Sequence, residues 1–115
     1  MSDVKTLYQE SEELKEQGQL DQAIAKLNEA LQIDADHVLS HLALAVLYGR
    51  VDQHEKAIEH GERACQLEPS ESFNFTALSV TYVRALQASP QNEHLKLKAE
   101  EAMERSKMMQ GMGGH

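Results

Sequence analysis

The sequence predicts an all-α fold built as a stack of helix hairpins, and three observations carry that expectation. Ala23, Ile24, Ala30 and Ile33 return 34 residues later as Ala57, Ile58, Ala64 and Leu67. Leu44, Val46, Tyr48 and Arg50 return at the same interval as Leu78, Val80, Tyr82 and Arg84. The composition agrees: 41% hydrophobic residues, two prolines and no Trp, with abundant Ala, Leu, Glu, Gln and Lys, favours helices. A fixed period of this length marks helix-turn-helix units that bury their apolar faces only by stacking on their neighbours. At 115 residues the chain has room for one core and is read as one domain.

Each helix follows from apolar spacing and from the residues that punctuate it. Ser2 or Asp3 can cap a first helix to about Gln17, with Val4, Leu7, Ser11 and Leu14 at helical spacing, and Gly18 ends it. Asp21 opens a second helix through Ile33, whose stripe Ala23, Ile24, Leu27, Ala30 and Leu31 buries one face. Asp34 and Asp36 supply cap chemistry for a third helix over 37–51. That helix is apolar on two sides, with Leu44, Ala45 and Tyr48 opposite Leu39, Leu42 and Val46. It is therefore sandwiched or waiting for a partner. A fourth helix over 53–67 carries Ala57, Ile58, Gly61 and Ala64 on one face. A glycine there costs about 1 kcal/mol relative to Ala, which close approach of a neighbouring helix would compensate. Pro69 then breaks the chain.

The fifth helix, over 71–87, is capped by Ser70 or Ser72 and carries Phe75, Leu78, Ser79 and Tyr82 inward. The register then slips by eight residues: Ala99 and Met103 stand as Ala57 and Gly61 do, after an inserted stretch ASPQNEHL read as a longer loop or an added helical turn. A last helix over 92–110 bears Leu95, Ala99, Ala102, Met103, Ser106 and Met109 in one stripe. The units are thus about 3–36, 37–70 and 71–110, and 111–115, GMGGH, is expected to be disordered.

The order of small and aromatic residues resembles that of the tetratricopeptide repeat family. Leu14, Ala23 and Ala30 carry it in the first unit. Leu44, Ala45, Tyr48, Ala57, Ala64 and Pro69 carry it in the second, and Leu78, Ser79 and Tyr82 in the third. The chain departs from the family where Ala35 replaces the proline, where Asp52 replaces the turn glycine, and at the insertion. The resemblance implies a right-handed superhelix, a solenoid of three hairpins with a longer C-terminal helix, whose concave side is lined by the first helix of each unit. On this chain the lining would be Lys5, Tyr8, Glu12, Leu39, Leu42, Val46, Arg50, Phe73, Thr76, Val80 and Arg84. Such an apolar strip suits a helix or extended segment of another protein, unless the C-terminal helix or a second copy covers it. One subgroup of the family grips chaperone C-terminal carboxylates with Lys, Asn and Arg. The corresponding residues here, Tyr8, Glu12, Ala43, Phe73 and Ala77, cannot do so, and a chaperone tail is not expected as the partner.

Charge and cysteine usage narrow the partners. A net charge of −8 argues against nucleic acid and against an anionic membrane. Cys65 is the one cysteine, so no intrachain disulfide can form. The N-terminus lacks the apolar core of a signal peptide, and the longest apolar run, Leu42 to Tyr48, is too short to span a membrane. The expectation is a soluble, cytoplasmic protein.

Chemistry-bearing residues are few. His37 and His41, four apart and near Asp34 and Asp36, could share a helix face toward zinc or copper, yet lack further ligands, and His41 falls at a packing position. His54, Glu55 and His60 have the wrong spacing for a zinc-protease helix. Met108, Met109, Met112 and His115 are soft ligands suited to Cu(I), though methionines at a helix end also make an adaptable contact surface. Glu62 and Glu68 would raise the Cys65 thiol pKa, which makes it a packing residue rather than a nucleophile. No catalytic constellation, phosphate loop or cofactor site is evident. The reading is a non-enzymatic protein-interaction module with an apolar groove that can also self-associate through its final helix; the alternative is a small copper- or zinc-handling protein.

Overall fold

A computed structural model describes residues 3–113 and contains, among them, six helices and no strand. They are α1 (Val4–Glu16), α2 (Leu20–Ile33), α3 (Val38–Arg50), α4 (His54–Leu67), α5 (Ser72–Ala88) and α6 (Glu93–Gly113). Packing is closest within the hairpins α1–α2, α3–α4 and α5–α6. The trailing helix of one hairpin rests on the leading helix of the next, and α3 meets α5 directly. This is the stacking that the 34-residue register demands.

The turns inside the first two hairpins are copies of one another. Gly18 has φ 80° and Asp52, 34 residues later, has φ 64°. In each, the following amide closes back onto the helix: Gln19 N donates to Leu14 O at 2.9 Å, and Gln53 N to Tyr48 O at 2.8 Å. This is the left-handed helix stop that satisfies otherwise orphaned carbonyls, and Asp, whose short side chain tolerates this region, can stand in for Gly.

The third hairpin differs because α5 has 17 residues where α3 has 13, about one extra turn. The insertion therefore extends a helix as well as lengthening the connection before α6. At the far end, α6 runs through Gly113, so Gly111 to Gly113 of the expected tail are helical; residues 114–115 lie outside the described residues.

Two caps differ from expectation. Glu71, not Ser70 or Ser72, is the N-cap of α5 and accepts from Phe73 N at 3.3 Å. Asp34 and Asp36 do not cap α3: His37 holds that position without a side-chain bond to the backbone amides of the first turn, Asp34 accepts from Asp36 N, and Asp36 pairs with Arg63 of α4 at 3.2 Å. Asp3 does cap α1, accepting from Thr6 N at 2.8 Å. α2 begins at Leu20, one residue before Asp21.

Burial divides the core in two. One cluster joins Ala23, Ile24 and Leu27 of α2 to Leu44, Leu47 and Tyr48 of α3 and Ala57 of α4. The other joins Cys65 of α4 to Leu78 and Tyr82 of α5 and Ala99 and Ala102 of α6. α4 thus belongs to both, which is what makes the units one body. Gly61 marks its tightest contact: a Cβ there would lie 3.0 Å from Leu78 Cδ1. In the last helix Met103 departs from the inward stripe and is exposed, whereas Ala99, Ala102 and Ser106 are buried.

Candidate functional site

The leading helices α3 and α5 turn Leu44, Ala45 and Tyr48, and Leu78, Ser79 and Tyr82, into the core. A helix has only 3.6 residues per turn, so the side of each helix turned away from that core faces outward. Leu39 and Val46 of α3 are 53% and 40% exposed, and their repeat equivalents on α5, Phe73 and Val80, are 62% and 44% exposed. Leu42 is half-buried between them. α6 contributes to the core cluster through Ala99 and Ala102, so its apolar stripe is spent on Cys65, Leu78 and Tyr82 and leaves the strip of α3 and α5 uncovered.

The remaining candidates are less uniform. Lys5 is exposed, while Tyr8 is half-buried, packs against the first core cluster and meets the His37 ring edge-on at 6.0 Å. Glu12 is tied to Lys15 at 3.1 Å. Thr76 is engaged rather than open: its hydroxyl donates to Ser72 O at 3.3 Å and is hydrogen-bonded to Ser106 of α6. Sequence reasoning placed it on the lining because it cannot see which residue of α6 the eight-residue slip brings opposite. Arg50 and Arg84 close one end of the strip. There a cleft of about 400 Å³ is lined by both arginines with Gly49, Asp52, His54 and Gln87.

The tyrosines that lock the units are repeat copies in their hydrogen bonding too. The Tyr48 hydroxyl accepts from Asn28 Nδ2 at 3.2 Å, and the Tyr82 hydroxyl donates to the Glu62 carboxylate. Asn28 and Glu62 are themselves 34 apart, so each tyrosine reaches the same position of the preceding trailing helix. Burial, then the Glu62 hydrogen bond and charge, push the Tyr82 hydroxyl pKa well above its usual value. Nothing in the sequence beyond that doubled spacing points to these pairs.

The histidines sort into pairs that sequence spacing did not give. His37 Nδ1 engages Ser40 Oγ at 2.7 Å, while His41 Nδ1 meets His60 Nδ1 of α4 at 2.9 Å. His37 and His41 therefore serve different partners. Among the described residues no group of three His, Cys, Asp or Glu side chains converges as a metal site requires. Cys65 is buried, and burial first, with Glu62 second, raises its thiol to about 11. The direction matches the acidic neighbourhood read from the sequence, but the larger cause is desolvation. No helix among the described residues is long and apolar enough to cross a membrane.

Comparison with known proteins agrees with this architecture. A family model described as TPR repeat matches residues 12–52, from the second half of α1 to the turn at Asp52. No curated protein matches the sequence. Among solved structures, MamA superposes with a TM-score of 0.82 at 15% identity, over 97% of this chain; this chain spans 61% of that one. The second TPR of Spaghetti (RPAP3), solved with the HSP90 peptide SRMEEVD bound, gives a TM-score of 0.76 at 17% identity, covering 94% of this chain and 93% of that one. The first TPR of the same protein, with the same peptide, gives 0.64 at 16% identity, covering 89% and 94%. Residues 12–52 thus match the TPR repeat, and the described residues have the fold of the tetratricopeptide repeat proteins.

Proposed function

We propose that the protein is a non-enzymatic interaction module that holds a helical or extended segment of a partner protein along α3 and α5. The observation that carries this reading is the matched exposure of Leu39, Val46, Phe73 and Val80 at equivalent repeat positions. Four large apolar side chains kept in solvent on one strip cost hydration free energy that a bound segment would recover, at about 25 cal/mol per Å². Two similar domains were solved with a peptide bound, which supports peptide capture by this fold. The positions that would clamp a chaperone carboxylate carry Tyr8, Glu12, Ala43, Phe73 and Ala77, so the partner here is read by apolar contact instead.

The test is capture of partners from the native cell by the wild type and by a Leu39→Glu, Phe73→Glu variant. Both residues are exposed, so the variant should keep its helical circular dichroism while losing those partners. Retention of the same partners would remove this groove from consideration.

Self-association is a second element of the reading, supported by the exposed Leu97, Met103 and Met108 of α6. Sedimentation equilibrium of wild type against Leu97→Glu, Met108→Glu decides it: a monomer at all concentrations would dispose of the idea.

A further inference from the structure

The charges of this chain are sorted by helix. It has 19 acidic and 11 basic residues, yet α3 and α5 together contain no Asp or Glu at all. Their charged residues are Arg50 and Arg84, one per helix, 34 residues apart and therefore at the same repeat position. The acids lie on α1, on the trailing helices α2, α4 and α6, and in the connections. A net charge of −8 thus coexists with a binding face whose apolar strip ends in two cations.

Those cations converge on one cleft. Arg50 and Arg84 both line the space of about 400 Å³ at the C-terminal ends of α3 and α5. Arg84 lies over Gly49: its Cδ would stand 3.8 Å from a Cβ placed on that glycine and Nη1 4.0 Å, ordinary contact distances that put its side chain against α3. Among the described residues neither arginine makes an ion pair, whereas Lys15, Lys26, Arg63 and Lys98 all do. Asp52 also lines the cleft, but its carboxylate is 91% exposed and lies 3.7 Å from His54 Nε2. Two guanidiniums held beside an apolar surface, with their hydrogen-bond donors free, are suited to a planar carboxylate.

We infer that the groove is specific for a partner segment in which an apolar run is flanked on one side by an acidic side chain, the carboxylate being taken by Arg50 and Arg84. This rests on the groove reading and adds to it both a chemistry and the place of the charged subsite. The apolar residues lie over Leu39, Val46, Phe73 and Val80, and the acid lies at the end of the strip where α3 and α5 terminate. The site differs in residues and position from a clamp for a chain's terminal carboxylate, since Tyr8, Glu12, Ala43, Phe73 and Ala77 supply no cation.

The probe is a library of random twelve-residue peptides displayed with the C-terminus fused, so that only side-chain carboxylates are offered, panned against the full chain. Enriched sequences should carry two or more apolar residues with an Asp or Glu on one side of them. Synthetic copies should bind the Arg50→Gln, Arg84→Gln double variant about tenfold more weakly. Exchanging the peptide's Glu for Gln should cause the same loss in the wild type and no further loss in the variant. Enriched peptides that are apolar without an acid, bind both proteins equally and are lost in Leu39→Glu, Phe73→Glu would overturn the acidic subsite and leave the groove standing. Enrichment of nothing, or of peptides indifferent to Leu39 and Phe73, would overturn both. Sedimentation at the panning concentration covers the remaining occupant: a wild-type dimer dispersed by the arginine variant would identify a second copy of this chain in place of a partner, and that too overturns the inference.

Discussion

His41 and His60 share a hydrogen bond between their Nδ1 atoms, 2.9 Å apart, and the other nitrogen of His41 fixes which one donates. His41 Nε2 lies 2.8 Å from the Ala35 carbonyl, which can only accept. His41 therefore carries its proton on Nε2 when neutral, its Nδ1 accepts, and His60 donates from Nδ1. The His60 ring also stacks on Tyr48, with centroids 5.7 Å apart and planes 11° from parallel. One pair thereby ties α4 to α3 and, through Ala35, to the connection between the first two units.

This arrangement makes stability depend on pH. Burial, and the neighbouring His41 second, lower the His60 pKa from 6.5 to about 4. Above pH 6.5 folded and unfolded chains both hold a neutral ring, and the group contributes no dependence. Between 6.5 and 4 the unfolded chain binds a proton that the folded one refuses, so stability should fall as pH falls through that window. Allowing for the part-exposure of the ring, the loss is on the order of 2 kcal/mol. Urea melts at pH 7 and pH 4.5 should show it, and His60→Asn should flatten the difference; an unchanged difference in that variant would assign the effect to other groups.

The contact between Gly61 and Leu78 sets how large residue 61 can be. With Leu78 Cδ1 3.0 Å from the Cβ position, Ala gains about 1 kcal/mol of helix propensity and spends it on displacing a flexible side-chain end. Gly61→Ala should be close to neutral and Gly61→Val destabilising by about 2 kcal/mol. Thermal unfolding of the two variants checks this, and equal midpoints would refute the close approach.

Gly18 and Asp52 should respond in opposite senses. At φ 80° with open space around it, Gly18→Ala meets only backbone strain and should cost about 1 kcal/mol. At φ 64° Asp52→Gly relieves that strain and should stabilise by about 0.5 kcal/mol, net of the added chain entropy. Denaturant midpoints read both, and a destabilised Asp52→Gly would mean that the carboxylate near His54 matters more than the backbone.

Cys65 should be a silent thiol. With its pKa raised to about 11 and its side chain buried, alkylation by iodoacetamide at pH 8 should be far slower than for a free thiol and become fast in denaturant. Comparable rates in the folded and unfolded protein would show that α4 opens readily there.

Much of the stack was legible because its packing is local and periodic. The interval between Ala57 and Ala23, and between Tyr82 and Tyr48, placed the helices, and Gly18 marked its turn. The exposed faces followed by subtraction: once Leu44 and Tyr48 are inward, Leu39 and Val46 cannot be. Caps were less legible, since Asp34 and Asp36 offered the right chemistry but Asp36 found Arg63, 27 residues away, instead. The Thr76 bond to Ser106 was not legible for the same reason, its partner being 30 residues on across an irregular insertion.

The sequence alone determined the period, the hairpins and the sorting of charge that leaves α3 and α5 with two arginines and no acid, because each depends on residue type and spacing along one helix. Only the tertiary structure decided which side chains from different helices meet. The pairing of His41 with His60, the tyrosine bonds to Asn28 and Glu62, and the Thr76 bond to Ser106 of α6 depend on rotations and offsets between helices. Those offsets are set by side-chain volume at contacts such as Gly61 against Leu78, a quantity that no single helix encodes.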